Sequence, residues 1–172
     1  MILKFGLVKC EEVTMPKSVL LDTSFFIRFL NESDPLFSYA EGYFKYFLNK
    51  EIVMMISTIS IAEYCVRGDV HELPLKNLQI IPFNLNHAKR TGEFAGFLFD
   101  HKKSLDLKNR NIIPNDSKLF AQADTIQSVD YYLSSDVESL NIYNLLKANF
   151  NPSFHFLNLN NSYQQSFGLL DL

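Results

Sequence analysis

Five short apolar runs alternate with segments of helical character, and that alternation constrains the fold more than any other feature of the chain. The runs are Ser18–Leu21, Ile52–Ile56, Leu78–Phe83, Val129–Leu133 and Phe154–Leu159. Between them lie Ser24–Leu30, Tyr39–Lys50, a helix from Ser60 to Val66 that stops at Gly68, a helix capped by Asn86 and running to Lys103, then Asn115–Ile126 and Asp136–Ala148. Ile52–Ile56 is continuously apolar, as in a strand covered on both faces. Strands that hand over to helices must cross over to reach their neighbours. The expectation is therefore an α/β fold with a mostly parallel sheet of about five strands and helices on both faces. Pro82 cannot donate to a central ladder, which puts Leu78–Phe83 near an edge. The stretch Ser104–Pro114 reads as polar and irregular. Residues 18–159 form the expected core of a single domain. Residues 1–16 read as an N-terminal extension and residues 160–172 as a tail.

At 172 residues a single domain can bury ~70% of its unfolded surface. The net charge of −3 supplies no global field to pull the protein onto nucleic acid, so binding there needs a local patch or a metal. Cys10 and Cys65 are too few and too far apart for a disulfide framework or a zinc site. A reduced, cytoplasmic setting is expected. No stretch approaches the ~18 to 20 apolar residues of a membrane span. With 16 Phe and 8 Tyr, the chain has enough aromatics for a core and for an interface.

Four acids stand where strands pass into helices: Asp22 in LLDTSFF, Glu63 in STISIAEYC, Asp116 in IPNDSKLFAQA and Asp136 in LSSDVESL. Each has an ordinary reading. Asp22 is placed to cap a helix, and Glu63 has capping-box spacing from Ser60. Asp116 would favour the dipole of a helix start. Asp136 is placed to cap the last helix, although Ser135 with Glu138 already supplies a capping pair. Capping does not require strand-tip placement in three separate units, however. In open α/β sheets those tips gather on one edge, where ligands bind. Two carboxylates ~4 Å apart repel by about 4 kcal/mol at an effective dielectric of 20. A crowd of them needs a cation or a proton. Oxygen donors with no His or Cys nearby favour Mg²⁺ or Mn²⁺ over zinc.

The ordered set VLLDTSFFIRFL, STISIAEYC, IPNDSKLFAQA and LSSD resembles the PIN-domain ribonucleases, a family that includes the toxins of the virulence-associated toxin–antitoxin pairs. The resemblance covers roughly residues 18–159. It implies a metal-dependent endoribonuclease that hydrolyses RNA phosphodiesters. Asp22, Asp116 and Asp136 would hold Mg²⁺ or Mn²⁺, and Glu63 would complete the catalytic set by ligation, through water or by orienting the attacking water. Thr23, Ser24 and Ser134 would support these carboxylates, Ser134 standing where Thr is commoner in the family. Ala121 and Ala123 match its small-residue stripe. The resemblance also implies an antitoxin partner.

Arg28, one turn beyond Asp22, and Lys108 and Arg110, just before Asp116, are candidate RNA contacts, because phosphate contacts position a nucleic acid. As a plain solvated loop, residues 101–110 explain the same lysines. The aromatic helix Tyr39–Lys50 is expected to show aromatic surface to an inhibitor and to a homodimer contact. The four histidines have no ligand spacing to one another or to a Cys and read as surface or satisfied residues. A haloacid-dehalogenase-type phosphatase would need a second Asp where Ser24 stands, and a phosphate-accepting receiver lacks its paired acids and Lys here. The remaining rival is a catalytically silent PIN-like module that binds RNA or a protein. Residues 1–14 are expected to be dispensable for folding. A chain beginning at Met15 should show the helical circular dichroism and the single melting transition of the full chain, and failure to fold would make those residues part of the core.

Overall fold

The computed structural model describes residues 17–101 and 112–169. The strands are β1 (Ser18–Leu21), β2 (Val53–Ser57), β3 (Gln79–Ile81), β4 (Val129–Ser134) and β5 (His155–Asn158). The helices are α1 (Thr23–Phe29), α2 (Phe37–Asn49), α3 (Thr58–Tyr64), α4 (Leu85–Asp100), α5 (Ile112–Thr125), α6 (Val137–Phe150) and α7 (Tyr163–Ser166). Two short 3-10 turns, Val70–Glu72 and Leu75–Asn77, lead into β3.

All four strand pairings are parallel, in the order β3-β2-β1-β4-β5. The α/β expectation with a five-stranded parallel sheet therefore holds. β1 lies at the centre, and its two neighbours carry the chain away in opposite directions, so the order reverses between β1 and β4. That reversal opens a crevice beyond the carboxyl ends of these two strands.

Side chains alternate across the sheet. Val19 and Leu21 of β1 point into a core with Phe25, Phe26, Tyr43, Phe47, Met54 and Ile56. Leu20 points into the other core, with Met55, Phe94, Phe120, Tyr132 and Ile142. Helices therefore cover both faces, as a parallel sheet requires.

Several expectations are corrected. The cap of α4 is Asn84, not Asn86; its side chain accepts from the backbone N–H groups of Asn86 and His87, and His87 Nδ1 accepts from Asn84 N. Pro82 ends β3 at Ile81 and leaves it an edge strand, shorter than Leu78–Phe83. Ser57, not Ser60, caps α3, because β2 runs directly into the helix. Glu63 consequently lies in the last turn of α3 rather than at its start. Helix α5 is already formed at Ile112, which puts Asp116 inside it rather than near its first residue. Asp136, not Ser135, caps α6, accepting from Glu138 N and Ser139 N.

Part of the expected tail is helical. Tyr163 stacks on Tyr46 at 4.9 Å, Phe167 lies 4.8 Å from Tyr46, and Tyr43 Oη is 2.5 Å from Ser166 Oγ. Those contacts bury Tyr43 and Phe47 completely. The aromatic stripe of α2 is thus mostly internal, contrary to the expected interaction surface. Tyr39 and Leu48 remain exposed on that helix. The expectations for residues 1–14, Lys108 and Arg110 lie outside the described residues.

Helix α5 is held in place by Asp124, whose side chain accepts from Arg90 Nε of α4 at 2.7 Å and from Ser153 N at 2.8 Å. The Arg90 guanidinium also lies over Phe94, 4.3 Å from the ring centroid. Asp124→Ala leaves the partly exposed Arg90 with Glu93 alone and Ser153 N without its acceptor, and should cost about 3 kcal/mol, since hydrogen bonds to a charged group are worth about 1.5–3 kcal/mol each. At roughly 2–4 °C per kcal/mol for a domain of this size, thermal melts should fall by about 6–12 °C. An unchanged melting temperature would show that the pair does not hold α5.

Candidate functional site

Asp22 follows β1 directly, and its backbone N–H continues the ladder by donating to Leu133 O at 3.0 Å. Its carboxylate caps α1 and is held through one oxygen. Oδ2 accepts from Ser24 Oγ at 2.6 Å, from Ser134 Oγ at 2.8 Å and, more weakly, from Ser24 N at 3.4 Å. Asp136 stands at the matching position after β4. Its Oδ1 accepts from Glu138 N at 2.7 Å, while its own N–H donates to Ser134 Oγ at 3.1 Å. One hydroxyl therefore touches both acids.

Asp116 enters from α5 and accepts from Ser139 Oγ through Oδ2 at 2.6 Å. Glu63 enters from α3 and accepts from Thr23 Oγ1 through Oε2 at 2.6 Å. Together the four acids line one cleft of about 410 Å³, with Thr23, Ser24, Ile27, Asn115, Glu138 and Ser139. Asp22 and Asp116 are 9% and 8% exposed, and Glu63 and Asp136 are half-buried.

Burial pushes the Asp116 carboxyl well above the usual carboxylate range. The Ser139 hydrogen bond pulls it down, and the charges of Asp22, Asp136 and Glu63 add to the rise. Tyr132, fully buried on β4, is likewise pushed well above the ordinary phenol range by burial and then by the charges of Asp22 and Asp116. Its hydroxyl makes no hydrogen bond of normal geometry among the described residues. The buried phenol thus lies within the field of these acids.

The donor set suits a hard cation. It is oxygen only, and the second carboxylate oxygens of Asp22, Asp116 and Asp136 accept no hydrogen bond among the described residues. Among the described residues, no three acidic, His or Cys side chains already stand in an arrangement that would hold an ion. Serine and threonine hydroxyls satisfy the carboxylates instead.

Thr23 donates to Glu63, and Ser24 and Ser134 donate to Asp22. Arg28 does not line the cleft. Its Nη1 pairs with Asp34 Oδ2 at 2.7 Å in the turn after α1. Asn115, Glu138, Ser139 and Ile27 are the lining residues that sequence reasoning missed as site residues. For Ser139 the signal was its position three residues after Asp136, which places it over the same helix end.

No family model matches the chain, and no curated protein does. Solved structures do. A chain of VapBC2 from Rickettsia felis, crystallised bound to a DNA fragment from their promoter, matches with a TM-score of 0.52 at 19% identity, covering 81% of this chain and 98% of that one. A chain of DNA-bound VapBC from Salmonella typhimurium matches with a TM-score of 0.54 at 16% identity, covering 83% and 98%. The chain shares its fold with these chains of VapBC complexes.

The raised carboxyl of Asp116 carries a prediction. Its folded form holds a proton more tightly than the unfolded chain, so ionisation costs stability. The cost is absent below the ordinary carboxylate pKa and grows as pH rises through that value. Asp116→Asn keeps an acceptor for Ser139 and removes the charge. In a chelator at pH 7 the variant should melt above the wild type, by about 2–4 °C for each kcal/mol relieved, and the two should converge near pH 3. A lower melting temperature at pH 7 would mean that the carboxylate is stabilised where it lies.

Proposed function

We propose that this protein is a metal-dependent endoribonuclease, the toxin of a toxin–antitoxin pair acting in the cytoplasm. The observation that carries the reading is the meeting of Asp22, Glu63, Asp116 and Asp136 in one cleft at the β1/β4 reversal. A structural acid cluster would be expected to find basic partners. The partners described for these carboxylates are hydroxyl and amide groups.

Asp22, Asp116 and Asp136 are the residues that would hold Mg²⁺ or Mn²⁺. Such an ion shields the phosphate and makes water a better nucleophile at neutral pH. The chain's own groups do the rest. Ser24 and Ser134 fix the Asp22 carboxylate, Ser139 fixes Asp116, and Thr23 aims Glu63 across the cleft. Glu63, tied through one oxygen only, is placed to take the proton of the attacking water. With four acids lining the cleft, the phosphodiester is repelled until the site carries positive charge.

The antitoxin assignment draws support from the shared fold with chains of VapBC complexes. Among the described residues no helix is long and apolar enough to cross a membrane. The buried stripe on α2 lends a homodimer no support. The alternative, a silent module that binds RNA or protein without cutting, makes a different prediction about metal and charge.

Asp22→Asn separates the two. Asn keeps the acceptor that caps α1 and meets Ser134, so the melting curve should hold. Cleavage of single-stranded RNA in Mn²⁺ should fall by at least about 100-fold, the scale of losing one charge-stabilising group, and wild-type cleavage should stop in excess EDTA. Cleavage that survives EDTA, or an Asn variant as active as the wild type, would refute the mechanism.

A further inference from the structure

A groove of about 580 Å³ adjoins the acid cleft and shares Ile27 and Glu63 with it. From the reading of the cleft as a ribonuclease centre, we infer that this groove receives a nucleotide next to the one cut, its base stacked on Tyr64 and its phosphate on Arg67.

The groove is built around a fixed ring. Tyr64 follows Glu63 on α3, and its hydroxyl donates to Glu72 Oε2 at 2.6 Å. The same Glu72 oxygen accepts from Asp69 N at 3.1 Å, which ties the Val70–Glu72 turn to the ring. The ring lies flush on Gly68, where an added Cβ would come within 2.4 Å of Tyr64 Cε1. Only glycine admits the ring there. Opposite, Ile27 and Leu30 of the α1 end expose apolar side chains, 50% and 37% accessible. A wall of apolar and aromatic groups beside a catalytic cleft has the character of a base-binding surface, because every base offers a π-face.

The charge points the same way. Arg67 is exposed, lines the groove and forms no ion pair among the described residues, unlike Arg28 and Arg90. A guanidinium in the turn just after α3, four residues beyond Glu63, suits a phosphate flanking the scissile one. The two acids of the groove keep their charge, but each is drawn to a partner of its own rather than to Arg67. Glu72 is occupied by Tyr64 and Asp69, and Glu63 is turned to Thr23 at the cleft. A protein segment docked in the groove is the competing occupant, and it needs no stacking and no salt-dependent phosphate contact.

The test is fluorescence anisotropy of labelled single-stranded oligoadenylate and oligouridylate in Mg²⁺, with full-length chains carrying Asp22→Asn so that binding is read without cutting. Tyr64→Leu should weaken binding roughly tenfold, the scale of one stacked base, and Tyr64→Phe should retain most of it. Arg67→Gln should lower the slope of log affinity against log salt by about 0.7, one phosphate contact on a single strand. Arg67 is exposed, so that variant tests the groove even if Tyr64→Leu melts early. With an intact Asp22, both changes should raise KM for RNA and leave kcat unaltered. Unchanged affinity and salt slope in both variants would overturn the inference and leave the groove to a protein segment, and no measurable binding to either oligomer would overturn it as well. A wild type that cuts no RNA while these binding losses persist would instead defeat the nuclease reading alone.

Discussion

The hydrogen bond from Ser134 to Asp22, 2.8 Å between residues 112 apart in sequence, joins the tips of the two central strands, and the site depends on it. β1 and β4 pair in parallel, and Asp22 N extends their ladder by one more bond to Leu133 O. The side-chain bond then fixes the carboxylate over the crevice that the strand order creates. Asp136 is placed by the same serine, since its N–H donates to Ser134 Oγ. Two of the four acids are thus positioned by strand pairing rather than by loops, and elements of a sheet hold a site more precisely than loops do. The other two arrive on α3 and α5 and line the same cleft.

Such an arrangement works against the fold. A carboxylate pushed up by burial and by three neighbouring charges is a liability that an apolar side chain would not carry. The surrounding core compensates. Beneath the cleft, Phe120, Tyr132, Tyr143 and Phe154 form a cluster with ring centroids 4.9–6.2 Å apart, which adds aromatic pairing to plain burial. Asp124 and Arg90 lock the far end of α5. The high Phe content finds its use here and in the second core around Tyr43 and Phe47, where α7 closes the sheet's other face.

The strands and the helix order were legible because hydrophobic runs and periodicity are local. Where the reading slipped, a neighbouring element decided the outcome. Asn84 capped α4 because Pro82 ends the strand early and leaves Asn84 extended. Glu63 moved to the end of α3 because Ser57, the last residue of β2, already serves as the cap. The residues after Leu159 looked like a tail since four helical residues carry no periodic signal, yet their aromatics bury the stripe of α2. Arg28 looked like a cleft residue by helical spacing from Asp22, but Asp34 lies within its reach. The four acids were legible as an ordered set. Ser139, which holds Asp116, was not legible as the holder of an acid, because a hydroxyl becomes specific only through what faces it.

Hydroxyl chemistry also explains how the cleft keeps its carboxylates apart without cations. A serine has one proton to give and two lone pairs. Ser134 gives its proton to Asp22 and receives one from Asp136 N; Ser24 gives its proton to the same Asp22 oxygen and receives one from Ser135 N. Both protons are spent on Asp22, so the 3.2 Å approach of the two serine oxygens is a contact that their shared target imposes rather than a bond in its own right. Asp22 Oδ2 is held on two sides, and Oδ1 accepts from neither serine. Thr23 and Ser139 do the same for Glu63 and Asp116, each through a single oxygen. A carboxylate restrained at one oxygen has its plane set while the other oxygen stays open to a ligand, which is how supporting groups tune the donors of a metal site. The pattern is expensive to maintain for folding alone, and it is economical only if the open oxygens have something to bind.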